Sequence, residues 1–387
     1  MKNKTFRRIA RGVFHISSFI LNIKYKKSNF SNIKNIIIFK PDNVGDFILS
    51  IPAIDSIKKQ FPNSKITCVV HPESSIIAGR VCDSVIEYIS PYVHSKGIEN
   101  NVNFHYISKL NKTIINTKYD LILDLRSDIL TLLFAFKSKA KYRIDVSSYR
   151  IMYVFQKTLN IFFGMQFFKQ KKMHELELIS KVLKKSGINV VYDFYLPEIL
   201  NEEDIVHCLK IIPRDLIKKS FAIFHPGASW EYKRWNPDKF AKIADFIISN
   251  YNLDVVIVGS KNEMNIAEAI KSMVKNKEKV LNLCGKTNIM DLIYLSKKSA
   301  LAVCNDSALG HITAMCEAKT ISLFGAQDPE IFGPKGKNVY IIKKNVKCSP
   351  CAQINCIKPE GKRCMDLITV NDVMDIIEGL NKNGKLK

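Results

Sequence analysis

The chain lacks both G-x-G-x-x-G and G-x-x-x-x-G-K-[ST]. Those glycine-rich turns cradle phosphates in dinucleotide-dependent oxidoreductases and in P-loop enzymes, so their absence weighs against both classes. Little in it could cross a membrane near its start. The apolar stretch at residues 13–23 is interrupted by His15, Ser17, Ser18 and Asn22. It falls short of the roughly 20 mostly apolar residues that a spanning helix needs. A charged segment precedes this stretch, but no small-residue cleavage site follows it, so no secretory signal is expected. Acids are missing altogether before Asp42, where ten Lys or Arg stand.

What is present fits a globular protein. At 387 residues the chain exceeds one typical core, and two domains are expected. Apolar residues make up 47% and charged residues 25%, as in ordinary folded domains. Lys and Arg number 59 against 36 Asp and Glu, a formal charge of +23. Such an excess suits polyanions: nucleic acid, an anionic membrane or a phosphorylated substrate. In the first segment, Phe6, Ile9, Val13, Ile16 and Ile20 recur at helical spacing among Arg and Lys. This pattern reads as an interfacial amphipathic helix on an anionic membrane surface, within an arm over residues 1–32. A disordered basic tail is the plainer alternative.

Six of the ten cysteines are scattered in apolar contexts, as Cys68, Cys284 and Cys304 are, and read as buried free thiols. Without a secretory signal a reducing cytoplasm is expected, and disulfides are not. The other four, Cys348, Cys351, Cys356 and Cys364, follow the spacing C-x2-C-x4-C-x7-C. Four thiolates suffice for zinc or for an iron–sulfur cluster. A compact thiol-rich turn is the alternative.

After the arm, apolar runs alternate with helical patterns. Strands are expected at 35–40, 65–70, 84–89 and 119–125, with one helix over 47–61 and another over 171–187. Residues 196–220 read as a polar, Pro-containing connection. A second series follows, with strands at 221–225, 254–259, 280–285, 300–305 and 320–325. Helices are expected at 237–250, 262–275, 289–298 and 308–317. Strands alternating with helices imply a parallel sheet covered on both faces, here twice in tandem with no detectable repeat. Ligands in such sheets bind beyond the carboxyl ends of the strands, so the cleft between the two domains is the first place to look for a site.

Polar or glycine turns stand at those ends: "KPDNVGD" after 35–40, "HPGASWEYKRW" after 221–225, "VGSKNE" after 254–259 and "NDSALGH" after 300–305. In the second, Gly227 and Ser229 can offer donors to a phosphate, and Lys233 or Arg234 a charge. In the last, a strand hands over to a helix whose first N–H groups and dipole make a natural phosphate seat. An ordinary cap by Asp306 or Ser307 is the plainer reading of that stretch taken alone.

Taken together, "KPDNVGDFILSIPAIDSIKKQFPNSKI", "HPGASWEYKRWNPDKFAKIADFI", "NDSALGHITAMCEAKTISLFGAQDPEIFGP" and the late cysteines before "CMDLITVNDV" resemble glycosyltransferase family 9. These are the heptosyltransferases of lipopolysaccharide core assembly, and the resemblance runs over about residues 33–380. It implies an α/β fold of two Rossmann-like parallel-sheet domains facing a cleft, the GT-B fold. The implied division is an acceptor-side domain at 33–200, a donor-binding domain at 201–365 that holds the cysteines, and a C-terminal helix and tail at 366–387. It also implies an ADP-heptose donor, a lipid-linked saccharide acceptor, inversion at the anomeric carbon, and no metal or cofactor. The setting would be the inner face of the cytoplasmic membrane.

Carried over by position, Asp46 matches the general base and Lys233 the lysine that meets the donor diphosphate. Glu263 is similar in place to an acid near the nucleoside, and Asp306 to an acid near the donor sugar. Ser307, Ala308, Leu309, Gly310 and His311 match the diphosphate turn. Ala308 departs from the family's usual Gly, which would cost stability if a positive φ were needed there, with Gly310 in partial compensation. Asp46 also reads as a helix N-cap, with its pKa lowered by the helix dipole.

Other classes stay open on the residues alone. One is a relative using another nucleotide sugar and glycan acceptor. Another is a non-catalytic nucleotide-sugar binder. A third is a nucleic-acid binder, with Phe162, Phe163, Phe167 and Phe168 beside Lys169, Lys171 and Lys172 as a stacking platform. Nucleic acid is not the expected partner, since an apolar edge or plain core explains those aromatics as well.

Overall fold

A computed structural model describes residues 30–91, 104–146, 173–190, 196–351, 356 and 363–382. The basic arm before residue 30 and the aromatic stretch at 162–168 lie outside the described residues. The chain divides into two compact units, Met1–Asp193 and Phe194–Lys387.

The first unit is built on β1 (Asn35–Lys40), β2 (Lys65–Val70), β3 (Ser84–Glu87), β4 (Leu121–Asp124) and β5 (Tyr142–Asp145). The order is β3-β2-β1-β4-β5, and every pair is parallel. The second holds β6 (Phe221–His225), β7 (Asp254–Ile257), β8 (Val280–Asn282), β9 (Leu301–Asn305), β10 (Thr320–Phe324) and β11 (Val339–Lys343), again all parallel. Its order is β11-β10-β9-β6-β7-β8. In both sheets the central strands are mostly apolar because helices bury them on two faces. Each sheet also has a switch point, between β1 and β4 or between β6 and β9. The loops leaving those neighbours diverge there and leave a crevice beyond the strand ends.

Three expectations need correction. The helix expected over 47–61 is broken into Val44–Ile48 and Ile51–Gln60. Pro52 forces the break, because its ring would clash with the carbonyl four residues back in a continuous helix. The connection at 196–220 is helical, as Glu202–Ile211 and Arg214–Lys218. Asn201 and Asp204 form a reciprocal capping box at its start, and Cys208, Ile212 and Leu216 enter the core with Phe221. Cys68 is not a free thiol but is joined to Cys82. The helix Ser75–Val81 returns the chain to the edge of β2, where the two Cα atoms lie 6.3 Å apart, within bridging range. Cys208, Cys284 and Cys304 are buried free thiols, each pushed up to about 12 by burial.

The C-terminal helix Val370–Lys382 belongs to the second unit's core. Val373, Ile377 and Leu380 pack in the same cluster as Trp235, Phe240 and Val303. Trp235 ties that cluster together. Its indole N–H donates to the Ile368 carbonyl at 2.9 Å, and its backbone N–H donates to Asn305 Oδ1 at 3.0 Å. Its ring meets Phe240 edge-on at 5.2 Å. Trp235→Ala should therefore destabilise the second unit by about 3–5 kcal/mol, the usual cost of emptying a buried aromatic site. Urea unfolding followed by circular dichroism checks this, and a loss near zero would show that the cluster closes without the indole.

Candidate functional site

The second unit gathers its polar groups at the switch point between β6 and β9. β9 ends in Asn305, whose buried amide donates to the Pro226 carbonyl at 2.8 Å and accepts from the Trp235 backbone. One side chain thus locks the turn after β9 to the turn after β6. The helix Ala308–Met315 starts at this point, with Ser307 as N-cap. Ser307 makes no capping bond; its hydroxyl lies 2.8 Å from His225 Nδ1 instead. The first N–H groups of the helix are thereby left for an anion, which the dipole also favours.

Lys233 and Asp306 meet across this point, with Nζ 2.7 Å from Oδ2 and both side chains largely buried. Glu263 accepts from the Ser260 N–H at 2.8 Å and the Ser260 hydroxyl at 2.9 Å, and it lies 3.5 Å from His225 Nε2. It also fills the space where a Cβ of residue 227 would stand, so any larger residue there would have to displace the Glu263 carboxylate. Glu263 is therefore a brace between the turns after β6 and β7. Ser229 is exposed on the first of these turns.

Ala308 is an ordinary helical residue, so the strain anticipated from its replacing Gly does not arise. Gly310 lets the helix approach the sheet, since an added Cβ would stand 3.2 Å from Cys304 Sγ and 3.3 Å from Ser322 Oγ. Leu309 points into the core and His311 is buried, whereas Asp306, Ser307 and Ala308 are half-buried.

The cysteine-rich segment borders this site. The Tyr232 hydroxyl is pushed up to about 12, first by burial and then by Cys351, Asp306 and Cys364. The thiol of Cys364 is raised by burial and by Cys351, Cys348 and Cys356. Even so, among the described residues no group of three or more His, Cys, Asp or Glu is gathered closely enough to hold a metal ion.

The first unit assembles a second cluster at its own switch point. β1 ends in Lys40, whose buried Nζ pairs with Asp42 at 3.0 Å and Glu175 at 3.1 Å. Asp42 also takes the guanidinium of Arg126, from the turn after β4. Arg126 Nε lies 3.8 Å from Asp128, which accepts from the Ser90 hydroxyl at 2.6 Å.

Asp46 lies beside this network, in the first turn of the helix Val44–Ile48. The N-cap of that helix is Asn43, so Asp46 is not a cap. Its carboxyl is raised to about 6, first by burial and next by Asp42. Lys40 and Arg126 pull it down, and Glu175 pushes it up. The lowering anticipated from the helix dipole is reversed, because a five-residue helix has a weak field and desolvation outweighs it. Lys40, Asp42, Arg126 and Glu175 were not legible as one group. The signal available was a charged residue ending a buried strand, which demands partners; nothing local marks Glu175, 135 residues from Lys40.

The family model described as "Glycosyltransferase family 9 (heptosyltransferase)" matches residues 107–361. Lipopolysaccharide heptosyltransferase 3 of Escherichia coli (strain K12) is 25% identical over 304 residues, covering 76% of this chain and 83% of its own length. Lipooligosaccharide heptosyltransferase 2 of Campylobacter jejuni (serotype O:2) is 26% identical over 359 residues, covering 91% of this chain and 99% of its own. A solved structure of E. coli heptosyltransferase WaaC with ADP-2-deoxy-2-fluoro heptose superimposes with a TM-score of 0.61 at 16% identity. It covers 89% of this chain and 99% of that one.

The raised pKa of Asp46 has a signed consequence. In the folded chain its ionisation is opposed, so the cost is absent below about pH 4 and complete once the pH passes about 6. Asp46→Asn should therefore be more stable than the parent at about pH 8. That gain should shrink steadily as the pH is lowered toward about 4. Melting temperatures across this range test the sign, and a variant less stable at high pH would contradict it.

Proposed function

Since the chain belongs to glycosyltransferase family 9, we propose that it transfers a heptose from ADP-heptose to a saccharide of a lipopolysaccharide core or related glycolipid. The observation that carries the reading is the Lys233–Asp306 pair, held where the helix Ala308–Met315 begins. A departing nucleoside diphosphate develops negative charge. A lysine and a helix N-terminus can meet it in place without a metal ion. Gly227 lets the backbone of its turn lie close, and Asp306 fixes Lys233 while offering an acceptor to a sugar hydroxyl. The names of the two relatives support heptose as the group moved, and the ligand of the WaaC structure supports ADP as its carrier.

On the acceptor side, Asp46 takes the proton of the attacking hydroxyl. That oxygen bonds to the anomeric carbon as the bond to the diphosphate breaks, so a single displacement inverts the centre. A carboxyl titrating near 6 is ionised at neutral pH and more basic than an ordinary aspartate, which suits a general base. Asp42, Lys40 and Arg126 set that basicity without touching the substrate. A lipid-linked acceptor places the work at the inner face of the cytoplasmic membrane. Among the described residues no helix is long and apolar enough to cross it.

Asp46→Asn should keep ADP-heptose affinity and lose turnover by at least ~10²-fold, within the usual contribution of a general base. Near-parental turnover would move the base elsewhere. The ion pair also sharpens what donor-site variants should do. Lys233→Ala should weaken free ADP by about tenfold or more, the loss of one charge-assisted contact. Asp306→Ala releases Lys233 to the diphosphate, so ADP should bind it as well as or better than the parent, while transfer of the sugar falls. Calorimetric titration of both variants and the double variant decides this. Equal losses of ADP affinity in the two single variants would refute the assignment.

A further inference from the structure

The charge surplus is unevenly divided between the units. The first holds 31 Lys or Arg against 14 Asp or Glu, a surplus of 17, and the second 28 against 22, a surplus of 6. At the strand ends of the first unit the charges pair off, so the surplus must stand elsewhere. Part of it lies on two helices, Phe104–Asn116 and Ile129–Lys137. Both cover the same face of the first sheet, where Leu110, Ile114, Phe134 and Ala135 pack over Ile37, Phe39 and Ile122. Residues 104–118 and 129–143 contain no acid at all.

The same two helices expose large apolar side chains that the core does not take: Ile115 at 62%, Phe136 at 64% and Leu133 at 38%. Lys112 and Lys137 stand exposed on the helices and Lys139 just after them. The first described residues of the chain arrive close by. The Phe30 ring packs on Tyr142 at 5.1 Å, and Lys141 Nζ donates to the Ser31 hydroxyl at 3.4 Å. The acid-free sequence before Asp42 therefore joins the fold a few residues past Lys137.

We propose that this face of the first unit, with Ile115, Leu133 and Phe136 amid Lys112, Lys137 and Lys139, docks on an anionic lipid bilayer. The proposal rests on the reading of a lipid-linked acceptor. Lysines without neighbouring acids are drawn to anionic headgroups, and apolar side chains among them enter the boundary of the acyl region. The apolar groups separate lipid from nucleic acid. Of the three, only Phe136 has a flat face on which a base could stack; Ile115 and Leu133 have none, and all three gain from leaving water at a bilayer.

The test is co-sedimentation of the full chain with vesicles of phosphatidylcholine alone or with about 30% phosphatidylglycerol, a surface that attracts basic residues. The parent should bind the anionic vesicles, only weakly the neutral ones, and less as salt rises. Phe136→Asp should lower partitioning about tenfold, from lost burial and added repulsion. Lys137→Gln with Lys139→Gln should lower it about 25-fold, at roughly fivefold per lysine. All these positions are exposed, so melting temperature and ADP affinity should match the parent and serve as the check on folding.

Parental vesicle binding by both variants would overturn the proposal, because the segment before residue 30 would then suffice. So would a parent that ignores the vesicles and binds a single-stranded oligonucleotide. Transfer from ADP-heptose to a detergent-dispersed, lipid-linked core acceptor is measured alongside. Its absence, with vesicle binding intact, would sink the enzymatic reading and leave the surface standing.

Discussion

An ammonium group at the end of a fully buried strand loses its hydration and has to be matched by carboxylates. Lys40 is in that position, and Asp42 and Glu175 match it. Asp42 is then shared with Arg126, which brings in the turn after β4. Two segments remote in sequence, those bearing Arg126 and Glu175, are held to one strand end by this requirement. The proposed base depends on it, since Asp46 lies in the field of the same four groups. Burial and the carboxylates of Asp42 and Glu175 raise its carboxyl, and the two cations offset part of that rise, so it stays ionised at neutral pH.

The second unit meets a different demand at the equivalent place. The phosphate seat proposed there needs backbone close to the ligand and donors that do not wander. Asn305 ties two turns together through its amide, and Glu263 fills the space that Gly227 leaves. The lysine is restrained by Asp306, so its charge is in place before any ligand arrives. Buried charge here is a matter of position rather than of stability, because a buried ion pair rarely exceeds its own desolvation cost by much.

The overall charge of the chain says little about either cluster. At the strand ends positive and negative groups are interleaved, whereas the outer helices of the first unit carry lysines with no acids beside them. Among the described residues the surplus thus stands on the surface rather than at the strand ends. It is the surface, not the chemistry, that it describes.

Much of the architecture was legible. Runs such as "NIIIFK" and "FAIFH" can only be strands buried on both faces, and β1, β2 and β6 keep the ends read from composition. The edge strands β5 and β11 escaped notice, β5 because two of its four residues are charged and β11 because it is partly exposed. So did the helix Glu202–Ile211, whose polar surface hid a capping box. The turns that bear Asp46, Lys233 and Asp306 stood out because polar and glycine residues at strand ends mark where a parallel sheet binds its ligand. By itself the sequence determined two parallel α/β units, the residue types at their strand ends and the family they belong to. Only the tertiary structure decided that Lys233 faces Asp306, that Glu175 reaches Lys40, that Cys68 meets Cys82 and that Asp46 is a raised acid. Each of these depends on which strands lie side by side and how far water is excluded between them, and neither is written in local order along the chain.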